Sequence, residues 1–427
     1  MEKKATFAAA NWYASVSLAA AAGERPACQC KAVKQLLYIY EATMDNIVIG
    51  LDAKRIVRNA TGLGSYGRTL VRDLSRMDGL SLRLYAPDAG RDDLRRQVPE
   101  SERLCFCYPS GWQPLGKAYW RSRGIVGQLR RDGVEVYHGL SGELPVGLRK
   151  AGISSVVTIH DLIFMRHPEW YNAADVKIYT RKFRHAVEEA DAIVAISECT
   201  RRDVCELGGV EPERVELIYQ SCAPRFASFH SGPVGGSVWH VRSRYDLPDR
   251  YILSVGSIEE RKNAMLAVKA LETLPDDLSL VLVGRATDYA DRVWQYAVEH
   301  RLGTRVMMLH QVPDDDLPAI YHGAEAFVYP SRYEGFGIPI IEAISMGLPV
   351  VACTGSCLEE AGGPDSLYVS PDDEAGMAEA IRQVLCGAEG REQRIERSRQ
   401  YIGRFENTGA AQRFADLYAR LKKGINE

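Results

Sequence analysis

Two glutamates with seven residues between them, Glu334 and Glu342, follow a short apolar run and enclose two close glycines. Gly335 and Gly337 allow backbone N–H groups to approach a ligand, and the proline two residues later suits the first turn of a helix. A strand, a glycine loop and a helix N-terminus together form a site for anionic oxygen. We predict that this backbone meets a phosphate and that Glu342, in the first helical turn, accepts hydrogen bonds from vicinal hydroxyls. The alternative is a solvated Glu334 and a Glu342 that only balances the helix dipole.

Two adjacent cations, Arg261 and Lys262, stand where another apolar run, Tyr251–Val255, gives way to a helical segment. Basic residues at a helix start oppose the helix dipole, so their position indicates a bound anion. Arginine grips a phosphate with two N–H groups and lysine adds a compact charge. The pair is therefore suited to neutralising a departing diphosphate. A solvated basic pair is the structural alternative.

A glycine turn with the spacing G-x-G-x-x-G, at Gly62, Gly64 and Gly67, follows the first apolar run and opens a helix. This spacing resembles a dinucleotide fingerprint. That fingerprint needs an acidic residue at the end of the second strand, and the segment Tyr85–Asp88 breaks too early to supply one. A nicotinamide dehydrogenase is therefore a poor fit.

His160 and Asp161 close the apolar run Ser155–Ile159, and His138 follows the run Val134–Tyr137. Catalytic groups collect at the carboxyl ends of parallel strands. His160 is therefore a candidate functional residue, and a structural histidine at a strand end is the alternative. Asp161 and His138 are further candidates on the same edge.

Short apolar runs alternate with amphipathic segments of helical length from residue 46 onward, which is typical of parallel α/β units. Residues 220–250 lack this alternation and separate two such sets, and residues 231–237 form the most flexible-looking segment. Ligands collect beyond the carboxyl ends of the strands, so two doubly wound domains facing each other create a cleft. The predicted strands are Ile47–Leu51, Ser81–Ala86, Val134–Tyr137, Ser155–Ile159, Ala192–Ile196, Val215–Ile218, Tyr251–Val255, Ser279–Val283, Arg305–Leu309, Ala326–Tyr329 and Pro349–Ala352.

Length and composition limit the possible classes of protein. The 427 residues suit two or three domains, and the formal charge of −3 lacks the basic excess of a nucleic-acid-binding protein. Ten cysteines without a Cys-x-x-Cys pair are typical of reduced thiols in a cytoplasmic protein, and we expect no metal site. No run of about 18 apolar residues predicts a transmembrane helix.

The predicted organisation has four parts. Residues 1–43 form a disordered extension or follow a mis-called start; a signal peptide is the alternative, because two lysines precede an Ala-rich stretch. Residues 44–235 form an N-terminal Rossmann-like domain. Residues 236–390 form a C-terminal Rossmann-like domain. Residues 391–427 form C-terminal helices that pack back on the first domain.

Two further segments have a structural and a functional interpretation. The run Asp314–Asp316 resembles a metal-binding Asp-x-Asp, but it opens a predicted short helix where capping and the dipole favour acids. The basic and aromatic stretch Lys117–Arg123, with Arg130 and Arg131, is favoured as a solvated helix face. Its alternative role is peripheral contact with anionic lipid or a lipid-linked acceptor.

Taken together, Glu334-x7-Glu342, Arg261-Lys262, the glycine turn and His160-Asp161 resemble the retaining GT-B glycosyltransferases of family four, over about residues 46 to 390. The resemblance implies two Rossmann-like domains, with a nucleotide-sugar donor held mainly by the second and an acceptor by the first. It implies that Glu334 holds donor-sugar hydroxyls, Glu342 the nucleotide ribose, and the two cations the diphosphate. The backbone of Gly335, Phe336, Gly337 and Ile338 would meet the sugar and phosphates, and His160 would contact the sugar. The loop with Gly62 and Gly64 would also bind the donor, and Gly64 would approach the diphosphate from across the cleft. Asp161 and His138 would lie on the acceptor side.

One departure from the family pattern is Ser257, where many relatives carry another phosphate-binding arginine. The pattern Ser-Ile-Glu-x-Arg-Lys-Asn is similar to that of mannosyltransferase-like members, which favours GDP-mannose as donor. The resemblance implies metal-independent transfer to a glycan or lipid-linked acceptor in cell-surface or lipopolysaccharide synthesis, with no cofactor. Two alternatives stay open at this point: a nucleotide-sugar epimerase on a similar fold, and a non-catalytic scaffold.

Overall fold

The computed structural model describes residues 46–109, 116–229, 234–406 and 409–423. The predicted extension 1–43 and residues 231–233 of the predicted linker lie outside these ranges. Residues 234–237, which the sequence predicts as flexible, begin the helix Val234–Tyr245, so that prediction is wrong for this part. This helix also crosses the predicted boundary between residues 235 and 236.

Thirteen strands in the described residues form two fully parallel sheets. The first has seven strands in the order β3-β2-β1-β4-β5-β6-β7 and the second six in the order β10-β9-β8-β11-β12-β13. The strands, β1 to β13, are Ile47–Asp52, Leu80–Tyr85, Leu104–Cys107, Val136–Gly139, Ser154–Ile159, Ala192–Ala195, Val215–Leu217, Tyr251–Val255, Ser279–Val283, Val306–Leu309, Ala326–Tyr329, Val350–Cys353 and Leu367–Val369. The prediction of two Rossmann-like α/β domains is therefore confirmed.

Helices connect the strands and cover both sheets. The α-helices, α1 to α18, are Lys54–Arg58, Gly62–Leu74, Asp92–Arg95, Gly116–Tyr119, Ile125–Arg131, Ile163–Arg166, Ala173–Glu189, Glu198–Gly208, Pro224–Phe229, Val234–Tyr245, Ala264–Leu271, Asp288–Glu299, Leu317–Gly323, Ile338–Ser345, Leu358–Gly362, Glu374–Arg382, Arg391–Glu406 and Ala410–Lys423. A π-helical turn, Trp120–Gly124, joins α4 to α5. Every helix in the described ranges is too short or too polar to cross a bilayer.

Each sheet has one point at which the strand order reverses. In the first sheet this point lies between β1 and β4, and in the second it lies between β8 and β11. Loops that leave the carboxyl ends of strands at such a point diverge and open a crevice for a ligand. The glycine turn follows β1, the cation pair follows β8 and Glu334 follows β11, so the topology places the predicted motifs at these two points.

The C-terminal helix α18 packs on the first sheet. Phe414, Leu417 and Tyr418 join the apolar core that includes strands β1 and β2, and all three are almost fully buried. The hydroxyl of Tyr418 lies 2.6 Å from Nδ1 of His138 on β4. The last helix of the described residues therefore packs on the first of the two Rossmann-like domains.

The core of the second domain continues into the first domain. Ile163, Ile196 and Cys199, all from the first half of the chain, belong to the same buried cluster as the strands of the second sheet. The two domains therefore share part of one apolar core.

Two short strands were absent from the sequence prediction. β3 and β13 have four and three residues and form edges of the two sheets. β3 alternates Cys105 and Cys107 with larger apolar residues and lacks the β-branched residues that indicate a strand. β13 is too short to give a periodic signal.

Candidate active site

The centre of the site is a buried cluster of Arg261, Lys262 and Glu334. Nζ of Lys262 lies 2.5 Å from Oε1 of Glu334, and Nη1 of Arg261 lies 3.0 Å from Oε2. The side chains are only 16%, 16% and 11% exposed, respectively. The structure therefore brings together the cation pair and the first glutamate of the predicted motif.

Tyr329, the last residue of β11, completes this cluster and was missed by the sequence analysis. Nζ of Lys262 donates to its hydroxyl at 2.7 Å and lies 5.0 Å from its ring centroid. The hydroxyl in turn donates to Oε1 of Glu334 at 3.3 Å. The apolar strand run hid this residue, although its place at a strand end is the signal that would have found it.

The cluster keeps all three groups charged. Burial raises the pKa of Glu334, but Lys262 and Arg261 outweigh this effect and bring the pKa down to about 2. Burial likewise lowers the pKa of Lys262, whereas Glu334 raises it, and the net result is a pKa above its usual value. A carboxylate with so low a pKa is a poor base, and its oxygens are best suited to accepting hydrogen bonds.

The turn that carries the cations is tight. Residues Glu260–Lys262 form one turn of 3-10 helix, and Asn263 follows in the left-handed conformation at φ 55°. The side-chain amide of Asn263 donates a hydrogen bond of 2.8 Å to the carbonyl oxygen of Pro371, which holds Asn263 in this strained backbone conformation. Arg261 thus sits before α11 rather than in its first turn.

Glu342 lies in the second turn of α14, not in the first turn as the sequence predicted, because the helix begins at Ile338. It is 8% exposed and accepts a hydrogen bond of 3.1 Å from Tyr321. Burial raises the pKa of Glu342 to about 7, even though Arg225 and Tyr321 favour its charged form. The electrostatic environments of the two glutamates therefore differ.

The glycine loop between the glutamates leads into α14. Gly337 precedes the helix at φ 101°, and a proline stands in its first turn as predicted. The buried ring of Phe336 packs against the rings of Tyr219 and Phe405. Ile338 begins the helix, whose N-terminus carries the positive end of the dipole.

Gly335 contacts the first domain. A Cβ atom at this position would lie 2.2 Å from the carbonyl oxygen of His160. The Gly335 carbonyl also accepts a hydrogen bond of 2.6 Å from Ser197, the residue that caps α8. This glycine therefore allows the loop of the second domain to touch the end of β5.

His160 is neutral and fixed in one tautomer. Nε2 lies 2.8 Å from the carbonyl oxygen of Leu140, which can only accept, so Nε2 carries the hydrogen. The side-chain amide of Gln220 lies 2.9 Å from Nδ1 and donates to it. Burial lowers the pKa of His160 to about 4. The sequence analysis missed Gln220, because this residue follows β7 in a segment without hydrophobic periodicity.

Asp161 is half-buried at the same strand end. Its Oδ1 accepts from the amide of Ile163 at 3.2 Å, and its Cβ lies 3.1 Å from the position a Cβ of Gly335 would take. Burial raises its pKa, while Arg261 lowers it. Asp161 therefore lies beside the cation cluster, in the crevice between the domains.

His138 does not face the crevice, which corrects the prediction that it meets an acceptor. It is fully buried, and its ring nitrogens lie 2.6 Å from the hydroxyl of Tyr418 and 2.8 Å from that of Thr158. Burial lowers the pKa of His138 to about 3. The reason is that α18 covers this face of the first sheet.

The glycine turn has two different environments. A Cβ at Gly64 would lie 1.8 Å from the carbonyl oxygen of Asn59, so contact within its own domain requires this glycine. A Cβ at Gly62 would meet nothing within 4 Å. Of these two predicted donor-binding residues, only Gly62 therefore leaves open space for a ligand.

The run Asp314–Asp316 is held by ion pairs. Asp316 accepts from Arg244 and from the hydroxyl of Tyr245, each at 2.7 Å, and no side chain caps α13. Within the part of the chain that the structure describes, no three His, Cys, Asp or Glu residues are grouped as metal ligands.

The basic and aromatic stretch is partly internal. Trp120 is buried, and Arg121 pairs with Asp52 at 2.9 Å and with Glu143 at 2.5 Å. Lys117 pairs with Asp88 at 2.6 Å and remains mostly exposed. Contact with a membrane or a lipid-linked acceptor stays a prediction.

Two family profiles match the two halves of the chain. Residues 60–221 match "Glycosyltransferase Family 4", and residues 238–401 match "Glycosyl transferases group 1". The second match contains the cation pair and both glutamates, and the first contains the glycine turn and His160.

Curated relatives include O-antigen chain mannosyltransferase B of Escherichia coli, 32% identical over 258 residues that cover 58% of this chain and 65% of the relative. O-antigen chain mannosyltransferase RfbU of Salmonella typhimurium is 27% identical over 270 residues, which cover 63% of this chain and 70% of the relative. The chain thus spans about two thirds of the length of these relatives.

Solved structures of similar fold include sucrose-phosphate synthase from Thermosynechococcus elongatus, with a TM-score of 0.71 and 21% identity over 88% of this chain and 100% of that one. WaaG, a glycosyltransferase involved in lipopolysaccharide biosynthesis, gives a TM-score of 0.63 at 16% identity, over 87% of this chain and 99% of that one. At these identities the similarity establishes the shared fold.

Proposed function

We propose that this chain, which belongs to the GT-B glycosyltransferases whose family 4 and group 1 models match its two halves, transfers a hexose from a nucleoside-diphosphate sugar to a glycan or lipid-linked acceptor. Mannose is the favoured sugar and GDP-mannose the favoured donor. The product belongs to cell-surface polysaccharide or lipopolysaccharide synthesis. The reaction takes place in the cytoplasm or on the inner face of the membrane.

The observation that carries this proposal is the buried cluster of Arg261, Lys262 and Glu334 at the point where the second sheet reverses its strand order. Departure of a nucleoside diphosphate builds negative charge on its phosphates. Fixed cations in a site sheltered from water stabilise that charge strongly. The N-terminus of α14 adds a partial positive charge next to them.

Glu334 binds hydroxyls of the donor sugar in this proposal. A retaining hydrolase uses a second carboxylate as nucleophile or base. The low pKa of Glu334, about 2, and its two cationic partners disfavour both roles. Glu342, whose pKa of about 7 lets it change its charge near neutrality, accepts hydrogen bonds from the ribose.

Transfer proceeds with retention of anomeric configuration. The acceptor oxygen forms a bond to the anomeric carbon on the face from which the diphosphate leaves, as the bond from that carbon to the phosphate oxygen breaks. The acceptor proton passes to the departing phosphate oxygen. Neither a cofactor nor a metal takes part.

The preference for mannose rests on sequence. The segment Ser257–Asn263 resembles that of mannosyltransferase-like members of the family. Two curated relatives carry mannosyltransferase names.

The decisive experiment incubates the purified chain with GDP-mannose or UDP-glucose, with and without a mannose-containing oligosaccharide, and measures the nucleoside diphosphate by chromatography. We expect GDP release from GDP-mannose that increases with the acceptor and is lost in Glu334→Ala. Formation of an epimerised nucleotide sugar, or no release from either donor, would refute the proposal. Proton NMR of the product gives its anomeric configuration.

A further inference from the structure

Tyr333 connects the two domains through its side chain. It belongs to the loop after β11, in the second domain, and its side chain is almost fully buried. Its hydroxyl donates to Oδ2 of Asp203, a residue of α8 in the first domain, at 2.7 Å. The thiol of Cys199 lies 3.4 Å from the same hydroxyl.

Asp203 is a buried acceptor for this hydroxyl, and other hydrogen bonds hold its carboxylate in place. It is 1% exposed, and its other oxygen, Oδ1, accepts from Nη2 of Arg166 at 2.6 Å and from Nε at 3.2 Å. Oδ1 of Asp203 therefore binds a residue of its own domain, and Oδ2 binds a residue of the second domain. Because Arg166 balances the charge, loss of the Tyr333 hydroxyl leaves no unpaired ion.

The backbone of Tyr333 holds the cation cluster. Its carbonyl oxygen accepts from Nη1 of Arg261 at 2.7 Å, and the next residue, Glu334, binds the same guanidinium. The amide of Arg332 donates to the Arg261 carbonyl at 2.9 Å. The position of Tyr333 therefore sets the position of Arg261.

We infer that Tyr333 and Asp203 are a positioning pair, which fixes the guanidinium of Arg261 and the carboxylate of Glu334 for a nucleoside-diphosphate sugar only while the first domain is in contact with the loop. This inference rests on the proposed function and extends it. Neither residue touches the reacting atoms. The pair acts by holding groups that touch the reacting atoms. Small displacements of such groups reduce turnover more than they reduce binding.

A second contact supports the same linkage. Thr200, one turn before Asp203 on α8, is 1% exposed, and its hydroxyl lies 3.0 Å from the carbonyl oxygen of His160 and 3.1 Å from that of Gly335. One face of α8 thus meets both strand-end loops of the site. A change in the contact between the domains is consequently transmitted to the cation cluster through this face of α8.

The test compares Tyr333→Phe with the matched control Tyr85→Phe. Tyr85 is also buried and donates to an aspartate, Asp132, at 2.8 Å, but both partners lie in the first domain. For nucleoside diphosphate release from GDP-mannose, we expect Tyr333→Phe to lower kcat by about 5- to 10-fold and to change the donor KM by less than about 3-fold. We expect Tyr85→Phe to keep kcat within about 2-fold of the wild type.

A double-mutant cycle with Asp203→Ala tests whether the pair acts as one unit. We expect the double variant to be within about 2-fold of Asp203→Ala alone in kcat. A double variant whose loss equals the product of the two single losses would overturn the inference, as would equal kcat values for Tyr333→Phe and Tyr85→Phe. Those results in an active wild type leave the proposed function standing, whereas a wild type inactive on every donor overturns both.

Discussion

Nζ of Lys262 lies 2.5 Å from Oε1 of Glu334, so the proposed diphosphate-binding cation and the proposed sugar-binding carboxylate are in direct contact. The two residues follow adjacent strands, β8 and β11, whose carboxyl ends share one edge of the second sheet. A donor that binds here has to share Lys262 with this carboxylate. The contact therefore keeps both groups charged and oriented.

Replacement of Lys262 by alanine removes one of the two fixed charges that face the departing diphosphate. We expect Lys262→Ala to lower turnover of a nucleotide sugar by about 100-fold or more. The matched control is Lys269→Ala, because Lys269 also pairs with a glutamate, Glu374, at 2.5 Å but on the exposed surface of the same domain. Nucleoside diphosphate release is the measurement. Equal rates for the two variants would contradict the role of Lys262.

Replacement of Glu334 by glutamine separates binding from turnover. We expect Glu334→Gln to bind a nucleoside diphosphate about 3- to 10-fold more tightly, because the anion no longer competes with a carboxylate for Arg261 and Lys262. We expect its turnover to fall by about 100-fold, because the sugar hydroxyls lose a charged acceptor. Calorimetry and steady-state kinetics measure the two effects, with Glu374→Gln as control. Weaker binding by Glu334→Gln would show that the carboxylate is not a competitor.

The elevated pKa of Glu342 makes stability depend on pH. Its pKa is about 7 in the folded chain against an ordinary 4.5, so the folded state holds the proton more firmly over this interval. The resulting stabilisation is complete below about pH 4.5 and is lost as the pH rises through 7, with an upper limit of about 3 kcal/mol.

We expect the free energy of unfolding of the wild type to fall between pH 5 and 8 more steeply than that of Glu342→Gln. Denaturant titrations at several pH values measure this slope. The control is Glu392→Gln, since the side chain of Glu392 is 82% exposed. Parallel slopes for wild type and Glu342→Gln would show that Glu342 titrates normally.

The close approach of Gly335 to His160 predicts a steric effect across the domains. The added Cβ of Gly335→Ala would lie 2.2 Å from a backbone oxygen, which forces the loop before α14 to move. We expect turnover to fall at least about 10-fold. Gly403→Ala is the control, because a Cβ at Gly403 in α17 meets nothing within 4 Å. If both variants keep wild-type turnover, the contact between the loop and β5 is not needed in the active state.

The contact between α18 and the first sheet also gives a prediction. Tyr418→Phe leaves Nδ1 of the fully buried His138 without its hydroxyl partner. We expect the free energy of unfolding to fall by about 1–3 kcal/mol, the cost of an unsatisfied buried polar group. Turnover at 25 °C should stay unchanged, since His138 lies outside the crevice. A large loss of turnover without loss of stability would show that His138 is part of the active site.

Local sequence predicted the parts of the site that short-range rules control. The cation pair and the glutamate motif follow apolar runs, and parallel strands end at one edge, so their convergence in the second domain was predictable. The position of Ser197 shortly after β6 likewise suits a helix cap, and its side chain accepts from the amide of Thr200 at the start of α8.

The rest depends on contacts between residues distant in sequence. His138 was assigned to the crevice because nothing near it indicates that Tyr418, 280 residues later, covers it. The bond between Tyr333 and Asp203 spans 130 residues, and neither residue has a local pattern that predicts it. The contact of Lys262 with Glu334 also has no local signal, because it is set by side-chain packing around Tyr329.

Binding of nucleoside diphosphates to the wild type and to the double variant Arg261→Ala/Lys262→Ala, measured by isothermal titration calorimetry, tests the assignment of the donor site most directly. We expect GDP to bind the wild type and to lose at least about 100-fold in affinity in the double variant, as two charged contacts disappear. UDP and ADP, measured in parallel, identify the base. A nucleotide that bound both proteins equally well would place the diphosphate elsewhere and contradict the assignment.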